Sequence, residues 1–295
     1  MRHFLSIKEF SKNEIELIVK RAIAFKTGRS SYNNILKDKA IITIFFENST
    51  RTRTSFEMAA KRMGAKVINI DHNQSSIKKG ETDYDTIINL SAIKPDAFVI
   101  RHYHSGYPYF LSQFTQIPII NAGDGTNEHP SQAILDAMTM FEITGRLDNL
   151  KVCIIGDIIN SRVAKSHMWL AEKFNWELSF FGPKTMLPEK KWLSHMHICS
   201  NLNEALKNKD FVMLLRIQLE RESGQNIPSL KEYARFFGIN KKNMPDCYIM
   251  HPGPVNRNVE LSSSLFDEEN DKILITRQVE NGVFARMAIY EFCLM

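Results

Sequence analysis

The chain has 295 residues, a formal net charge of +5, and the composition of an ordinary globular protein, with 43% hydrophobic and 24% charged residues. This length exceeds what one hydrophobic core usually serves, so it predicts two domains of roughly 100 to 200 residues each. The modest charge argues against nucleic-acid binding, and so does the absence of a stripe of lysine and arginine interleaved with aromatic residues. No apolar run approaches the roughly 18 residues that a membrane span needs.

The first half of the chain predicts helices that alternate with buried strands. Ser11 and Glu14 have the spacing of a capping box, and the apolar residues that follow lie on one helical face as far as Gly28. Apolar or β-branched runs predict strands at 40–46, 66–70, 96–100 and 118–121. The segment 130–145 begins with proline and ends with glycine, as expected of a linking helix between two domains.

The second half repeats this alternation. Strands are predicted at 151–155, 176–181, 196–199, 211–215 and 247–250, and a last, mostly apolar helix at 282–295 is expected to return to the first domain. This pattern predicts an α/β fold with two domains, each a mainly parallel sheet flanked by helices, joined by linking helices. The predicted boundaries are 1–130 with 280–295 returning, 131–145 for the linking helix, and 146–279.

The cysteines and the first residues bear on the compartment. Arg2, Lys8 and Glu9 put charges where a secretory signal would be apolar, so no such signal is predicted. No two cysteines form a Cys-x-x-Cys pair, which argues against a zinc cluster or a disulfide framework and fits a reducing, cytoplasmic environment. The four cysteines are Cys153, Cys199, Cys247 and Cys293.

Residues 49–54, Ser-Thr-Arg-Thr-Arg-Thr, follow the first predicted strand and open a helix. The first N–H groups of a helix have no partner within it, and they lie at the positive end of the helix dipole. Together with the arginine guanidinium groups they predict a site for a tetrahedral oxyanion such as phosphate. The plainer alternative is a well-capped helix with solvated arginines, although two capping side chains are normally enough.

Polar or cationic groups also follow the other predicted strands. In open α/β sheets ligands bind beyond the carboxyl ends of the strands, so these groups predict one cleft between the domains for small anionic ligands. The groups are Arg101-His102, residues 121–129, Gly156-Asp157 with Arg162, Arg216 with Gln218, and residues 251–254.

Several of these residues have plainer explanations. Arg101 could mark a strand that leaves the core, His129 could cap a helix, and Arg162 could be a solvated helix arginine instead of a carboxylate clamp. Gly156 stands alone, so a dinucleotide site is not predicted. The segment 72–81 taken by itself has the composition of a surface loop.

A short run near residue 197 has metal-ligand chemistry. His195, His197 and Cys199 alternate along a predicted strand and would face one side of it. Zinc needs four protein ligands, or three and a water, and no neighbouring residue completes the set in an obvious way. The sequence therefore predicts no metal site.

Residues 49–53 resemble the carbamoyl-phosphate motif of the aspartate and ornithine carbamoyltransferases. Further matches favour the aspartate branch, because residues 251–254 read His-Pro-Gly-Pro where ornithine enzymes typically carry His-Cys-Leu-Pro. The resemblance runs from about Phe4 to Ala288 and is weak between 183 and 208. The other matching positions are Ser75, 79–81, 101–102, 129–132 and 216–218.

The resemblance implies transfer of a carbamoyl group from carbamoyl phosphate to the α-amine of L-aspartate, an early step of de novo pyrimidine biosynthesis. It implies no cofactor, no metal and no covalent enzyme intermediate. The phosphate would be held by Ser49, Thr50, Arg51 and Thr52, helped by Arg101. The carbamoyl carbonyl would be polarised by Thr52, Arg101 and His129.

The remaining contacts implied by the resemblance involve both halves of the chain. Gln132 and the backbone near Gly253 and Pro254 would hold the carbamoyl NH2 group. The aspartate carboxylates would be bound by Arg162, Arg216 and Gln218, with Lys79. Ser75 and Lys79 would come from the adjacent subunit of a homotrimer, so that active sites are shared between subunits.

Other functions stay open on the sequence alone. A carbamoyltransferase with another amino acceptor has the same phosphate motif, and a catalytically silent anion-binding or assembly subunit is disfavoured because every expected polar position is filled. Regulatory chains are left open as partners, and nothing resembles an appended regulatory module. Arg53 is expected to be structural, paired with an acid such as Glu57 or Glu81.

Overall fold

The computed structural model describes residues 2–71, 82–189, 196–217 and 229–295. The chain divides into two compact units, the first formed by Met1–Ile143 and Glu280–Met295 and the second by Thr144–Val279. Among the described residues, no helix combines the length and apolar character that crossing a membrane requires.

The first unit is built on a parallel sheet with the strand order β2-β1-β3-β4. Its helices and strands, within the described residues, are α1 (Lys12–Lys26), β1 (Ala40–Phe45), α2 (Thr50–Arg62), β2 (Lys66–Asp71), α3 (Asp83–Ala92), β3 (Ala97–His102), α4 (Tyr107–Ser112), β4 (Ile119–Asp124) and α5 (Pro130–Thr144).

The sequence explains these elements locally. Ser11 accepts the backbone N–H of Glu14, and the Glu14 carboxylate accepts the N–H of Ser11 at 2.7 Å, so α1 starts with the expected capping box. Strands β1, β3 and β4 are buried on both faces because helices cover a parallel sheet on both sides. One resulting core cluster joins Ile42, Ile44, Phe98, Ile100 and Ile119.

The second unit carries another parallel sheet, with the order β7-β6-β5-β8-β9. The helices and strands among its described residues are β5 (Lys151–Ile155), α6 (Arg162–Lys173), β6 (Glu177–Phe181), β7 (His197–Ile198), α7 (Leu202–Leu206), β8 (Phe211–Leu214), α8 (Leu230–Phe237), β9 (Tyr248–Met250) and α9 (Ser263–Asp267). A final helix, α10 (Ile275–Leu294), follows.

The predicted fold class is confirmed: two parallel sheets, each flanked by helices. The last helix differs from the prediction, since it begins at Ile275 and not at residue 282. Its early turns carry Gln278 and Asn281, which are buried but polar, so the apolar pattern understates its length. The strand predicted at 196–199 is reduced to His197–Ile198.

The C-terminal part of α10 packs within the first unit. The Tyr290 hydroxyl donates to the Phe56 carbonyl at 3.3 Å, and the two rings meet edge to face. Asn281 is fully buried, and its side-chain NH2 donates to the Thr139 hydroxyl at 2.9 Å and to the Glu142 carboxylate at 2.7 Å. Its side-chain carbonyl oxygen accepts a hydrogen bond from the Lys26 ammonium at 2.7 Å. Helices α1, α5 and α10 are therefore joined by one polar cluster.

Candidate functional site

The start of α2 differs from the starts of the neighbouring helices. Ser11 before α1 and Thr82 before α3 use their hydroxyls to accept backbone N–H groups, and each has an acidic partner three residues on. Ser49, the residue before α2, makes no such side-chain bond, and the first turn of α2 contains no acidic residue. The helix therefore presents its positive end without an internal counter-charge, as an anion-binding helix start should.

The side chains in the first turn of α2 differ in burial. Thr52 is buried, while Thr50 and Arg51 are exposed. The guanidinium of Arg53 lies 5.1 Å from the centre of the Phe45 ring. Hydrogen bonds from Lys61 and Asn69 lower the pKa of Glu57, and the charge of Arg53 lowers it further. Arg53 thus packs on β1 beside an acid, in line with the expected structural role.

Arg101 lies at the carboxyl end of β3, opposite Phe45 of β1. Its Nε donates to Glu47 at 2.7 Å, and its Nη1 donates to the Ala122 carbonyl at 3.4 Å. The side chains of Arg101 and Glu47 are 12% and 15% exposed. Arg101 is therefore a positioned, mostly buried cation beside the loop that leads into α2, which is more than a strand leaving the core.

The loop that carries His129 is fixed by buried carboxylates that the sequence did not single out. Asp124 accepts the Gly106 N–H at 2.6 Å, the Asn121 amide at 2.9 Å and the Glu128 N–H at 3.1 Å. Glu128 in turn accepts the backbone N–H of Ile7 at 3.1 Å and a hydrogen bond from the Ser6 hydroxyl. These bonds set the backbone that ends at the start of α5.

His129 and Gln132 stand at the start of α5, and both are buried. A ring nitrogen of His129 lies 3.4 Å from the Ser131 hydroxyl. The Gln132 amide NH2 donates to the Asp136 carboxylate at 3.1 and 3.3 Å. Because Asp136 engages the NH2 end of this amide, the carbonyl oxygen of Gln132 is the end left to accept a hydrogen bond from a ligand. The i, i+4 spacing of Gln132 and Asp136 is the signal that could have identified Asp136.

Arg286 of α10 contacts α2, and no local sequence pattern indicates this contact. Its Nη1 donates to the Ser55 hydroxyl and to the Gly282 carbonyl, both at 2.9 Å, and its guanidinium lies 4.8 Å from the centre of the Phe56 ring. Burial lowers the pKa of Arg286 to about 10. This cation holds the helix whose first turn carries residues 50–53.

In the second unit, Gly156 and Arg162 follow β5. Gly156 has φ +135°, and a Cβ there would lie 2.9 Å from the Leu215 side chain, so the lone glycine reflects close packing of β5 against the end of β8. Arg162 is the first residue of α6, and it is 7% exposed. Burial of this kind is inconsistent with a solvated helix arginine.

Arg216 follows β8 and is partly buried between the buried Leu215 and Ile217. Its loop is held by Glu260, which is 1% exposed and accepts the Ile217 N–H at 2.9 Å. Glu260 also accepts the Asn256 N–H at 2.7 Å and its side-chain amide at 2.8 Å. Arg162 and Arg216 therefore both lie at the carboxyl edge of the second sheet.

His251 explains the shape of the loop after β9. Its N–H donates to Gln278 at 2.9 Å, and its Nδ1 accepts the Gly253 N–H at 2.7 Å. The peptide bond between Gly253 and Pro254 is cis. The histidine thus fixes the backbone on which the carbonyls of Gly253 and Pro254 lie.

Three predicted site residues, Ser75, Lys79 and Gln218, lie outside the described residues, as does His195. The structure gathers Ser49, Thr50, Arg51, Thr52, Arg101, His129 and Gln132 along the carboxyl side of the first sheet. It places Arg162, Arg216, Gly253 and Pro254 along the carboxyl side of the second sheet. The single cleft predicted between the domains stays a prediction.

Comparison with known proteins identifies two family domains. Residues 2–142 match the domain described as "Aspartate/ornithine carbamoyltransferase, carbamoyl-P binding domain". Residues 148–293 match the "Aspartate/ornithine carbamoyltransferase, Asp/Orn binding domain".

Individual relatives agree over nearly the whole chain. The aspartate carbamoyltransferase catalytic subunit of Campylobacter hominis is 46% identical over 299 residues, covering 98% of this chain and 96% of the relative. A crystal structure of aspartate transcarbamoylase from Trypanosoma cruzi in complex with carbamoyl phosphate and aspartate has a TM-score of 0.88 and 30% identity, covering 100% of this chain and 97% of that one. Ornithine carbamoyltransferase from Pyrococcus furiosus has a TM-score of 0.87 and 25% identity, covering 99% and 97% of the two chains.

Proposed function

The chain belongs to the aspartate/ornithine carbamoyltransferase family, and we propose that it transfers the carbamoyl group of carbamoyl phosphate to the α-amine of L-aspartate. The products are N-carbamoyl-L-aspartate and phosphate, and the reaction is an early step of de novo pyrimidine biosynthesis. The observation that carries the proposal is the start of α2, which has neither a side-chain cap nor an acidic residue in its first turn. Such a helix start suits the phosphate of carbamoyl phosphate.

The phosphate group is assigned to Ser49, Thr50, Arg51 and Thr52, with Arg101 beside them. Support comes from the exposure of Arg51, from the absence of a capping hydrogen bond by Ser49 within the described start of α2, and from the placement of Arg101 opposite Phe45 on the next strand. A guanidinium can make two parallel hydrogen bonds to phosphate oxygens, which lysine cannot.

The carbamoyl group is assigned to Thr52, Arg101, His129 and Gln132. The first three donate hydrogen bonds to the carbonyl oxygen, with His129 in its neutral form. The Gln132 carbonyl oxygen accepts from the carbamoyl NH2, because Asp136 engages the other end of that amide. The carbonyls near Gly253 and Pro254 accept the remaining N–H of the carbamoyl group.

The reaction proceeds by direct displacement on the carbamoyl carbon. The neutral α-amine of aspartate forms a C–N bond to this carbon, and the carbonyl oxygen becomes an oxyanion. The bond from the carbon to the phosphate oxygen then breaks, and the departing phosphate takes the amine proton. Loss of one oxyanion donor in other enzymes costs about 3 to 4 kcal/mol, so Thr52, Arg101 and His129 account for a large part of the acceleration.

The two aspartate carboxylates are assigned to Arg162, Arg216 and Gln218, with Lys79. The burial of Arg162 and the position of Arg216 on a loop held by Glu260 support this assignment, because a rigid guanidinium selects the geometry of a carboxylate. The boundaries 1–130 with 280–295, 131–145 and 146–279 remain the proposed division into a carbamoyl-phosphate domain, a linking helix and an aspartate domain.

We extend the proposal to a homotrimer in which Ser75 and Lys79 complete the site of the adjacent subunit. The segment that carries them leads into α3, where Tyr84 and Ile88 are 36% and 39% exposed. Tyr84 packs edge to face on Phe114 at 4.6 Å, beside the exposed Phe110. A contiguous apolar surface of this kind favours contact with another protein chain. Regulatory chains are compatible with this assembly, and a cytoplasmic location agrees with four free, buried cysteines.

The competing function is carbamoyl transfer to another amine, since the fold is shared with an ornithine enzyme. The purified chain is to be supplied with carbamoyl phosphate and, separately, with aspartate, ornithine and simple amines, and each carbamoylated product is quantified. We expect turnover with aspartate and at most trace product with ornithine. Faster turnover with ornithine would refute the acceptor assignment and leave the carbamoyl-phosphate assignment standing.

A further inference from the structure

One side-chain cluster of the second unit has no role in the proposed reaction. His197, Cys199 and Glu204 each offer one ligand atom, and these three atoms lie within 4.8 Å of one another. His197 lies on the edge strand β7, Cys199 follows that strand, and Glu204 comes from α7. The three ligands thus span only eight positions of the chain, and none belongs to the residues assigned to either substrate.

Parallel register explains why the histidine and the thiol share a face. Ser179 of β6 pairs with Cys153 of β5 on one side and with His197 of β7 on the other. Side chains directly opposite one another in a sheet point to the same face, and so do residues two apart along a strand. Cys199, two residues after His197, therefore lies on the same face of the sheet as His197, Ser179 and Cys153.

Glu204 is held in place by the backbone around it. Its carboxylate accepts the Ser200 N–H at 2.6 Å and lies 2.6 Å from Nε2 of His197. Its own N–H donates to the side-chain oxygen of Asn201, which caps α7, at 3.0 Å. Bonds of this type orient metal ligands in known metalloproteins, where they are conserved nearly as well as the ligands themselves.

Access to the cluster is graded. The side chains of His197 and Glu204 are 64% and 39% exposed, while Cys199 is 3% exposed beneath them. The fully buried Cys153 packs in the same core cluster as Cys199. An ion arriving from solvent would meet the imidazole and the carboxylate first and the sulfur last.

We propose that His197, Cys199 and Glu204 form a zinc-binding site, with water completing a tetrahedral set. One sulfur, one imidazole nitrogen and one carboxylate oxygen are ligands that zinc accepts, whereas magnesium and calcium require oxygen ligands. Zinc bond lengths of about 2.0 to 2.3 Å place tetrahedral ligand atoms about 3.3 to 3.5 Å apart. The His197 and Glu204 atoms, now 2.6 Å apart, need to separate by less than about 1 Å.

Zinc binding releases one proton from the site. The S–H bond of Cys199 breaks, the sulfur forms a bond to Zn²⁺, and the proton leaves to solvent. The proton that Nε2 of His197 shares with Glu204 leaves that nitrogen, and Nδ1 takes up a proton from solvent, so the neutral ring binds the ion through Nε2 and Glu204 binds it through a carboxylate oxygen. The bound ion fastens the edge strand β7 to α7, so occupancy stabilises this edge of the second sheet.

The test uses the purified full chain after removal of metal with a chelator. Co²⁺ serves as the probe, because a Co²⁺–thiolate bond gives an intense near-ultraviolet absorption band that nitrogen and oxygen ligands do not give. We expect this band to saturate at one Co²⁺ per chain, to disappear on addition of Zn²⁺, and to persist in excess Mg²⁺. Absence of the band at saturating Co²⁺ would overturn the proposal.

Matched variants identify the ligands. Cys199→Ser should lose the band, whereas Cys247→Ser, which alters another buried cysteine of the same unit, should retain it. His197→Ala changes an exposed side chain and so preserves the fold, and it should weaken Zn²⁺ binding by at least about tenfold. Unchanged Zn²⁺ affinity in His197→Ala, or a retained band in Cys199→Ser, would refute the assignment. Carbamoyl transfer by His197→Ala should equal that of the wild type.

Discussion

Two arginines separated by one residue allow a sharp test of the phosphate assignment. Arg51 and Arg53 lie in the same turn of α2, carry the same charge, and differ in what surrounds them. Arg51 is exposed at the helix start, whereas Arg53 is partly buried with its guanidinium over the Phe45 ring. Replacement of Arg51 with alanine should therefore affect mainly activity, and replacement of Arg53 mainly stability.

The expected magnitudes follow from these surroundings. Arg51 would give two charge-assisted hydrogen bonds to the phosphate, each worth about 1.5 to 3 kcal/mol, or about 3 to 6 kcal/mol together. Arg51→Ala should therefore lower kcat/KM by about 10² to 10⁴, with an effect on folding stability within about 0.5 kcal/mol. Arg53→Ala removes a cation–π contact worth about 0.5 to 1 kcal/mol, so it should lower stability by about that amount.

The assay measures steady-state formation of N-carbamoyl-L-aspartate by both variants under one set of conditions, with thermal unfolding recorded in parallel. Arg53→Ala should retain kcat/KM within about tenfold of the wild type, because its contact is worth at most about 1 kcal/mol. If the two variants lose activity equally, position within the turn does not matter and the phosphate assignment fails. Near-normal activity of Arg51→Ala would refute it outright.

Three further predictions concern assembly, packing and acid stability. Mixing Arg51→Ala chains with Lys79→Ala chains under conditions of subunit exchange should restore part of the activity, and demonstrated exchange without recovery would contradict the shared site. Asn281→Ala removes the buried hydrogen bonds that Asn281 makes to Thr139, Glu142 and Lys26, so it should lower stability by about 2 kcal/mol and the unfolding midpoint by roughly 4 to 8 °C. The exposed Asn13→Ala should change both quantities little. Hydrogen bonds from Arg2 and then from Ser11 lower the pKa of Glu14 from 4.5 to about 2. The stability that the Glu14 carboxylate contributes is therefore present above pH 4.5 and is lost as the pH falls towards 2. The difference in thermal unfolding midpoint between the wild type and Glu14→Gln should narrow across that range. A difference that stays constant would contradict the pKa shift.

The strands and the polar residues that follow them could be predicted from the sequence because both are local signals. An apolar run such as 40–46 marks a buried strand, and parallel topology brings the ends of such strands to one edge. Residues as far apart as Thr52 and Arg101 could therefore be assigned to one side of a sheet from their positions after two apolar runs.

The residues that hold the site in place could not be predicted in this way. Glu260 binds the backbone of Ile217, and Arg286 binds Ser55, across long separations in sequence. A buried acid or guanidinium has no local pattern that reveals its partner, since either residue type is also common on the surface. Asp124 and Glu128 lay within a recognised polar stretch, yet only the structure shows that they accept backbone N–H groups and so orient the loop.

Glu204 illustrates the same limit for metal chemistry. His197 and Cys199 were visible as an alternating pair, but the third ligand comes from a helix that the sequence did not relate to that strand. The hydrogen bond between Glu204 and His197 depends on how α7 packs against the second sheet. The sequence spacing of His197 and Cys199 leaves the ligand set incomplete, and folding of the chain brings Glu204 beside them as the third ligand.

Carbamoyl transfer by this chain is measured most directly when the purified protein is supplied with carbamoyl phosphate and L-aspartate and both products are quantified over time. We expect N-carbamoyl-L-aspartate and phosphate in equal amounts, and a kcat/KM lower by about 10² to 10⁴ in an Arg51→Ala preparation made in the same way. Phosphate release without carbamoyl-aspartate, or equal rates in the two preparations, would contradict carbamoyl transfer by this chain.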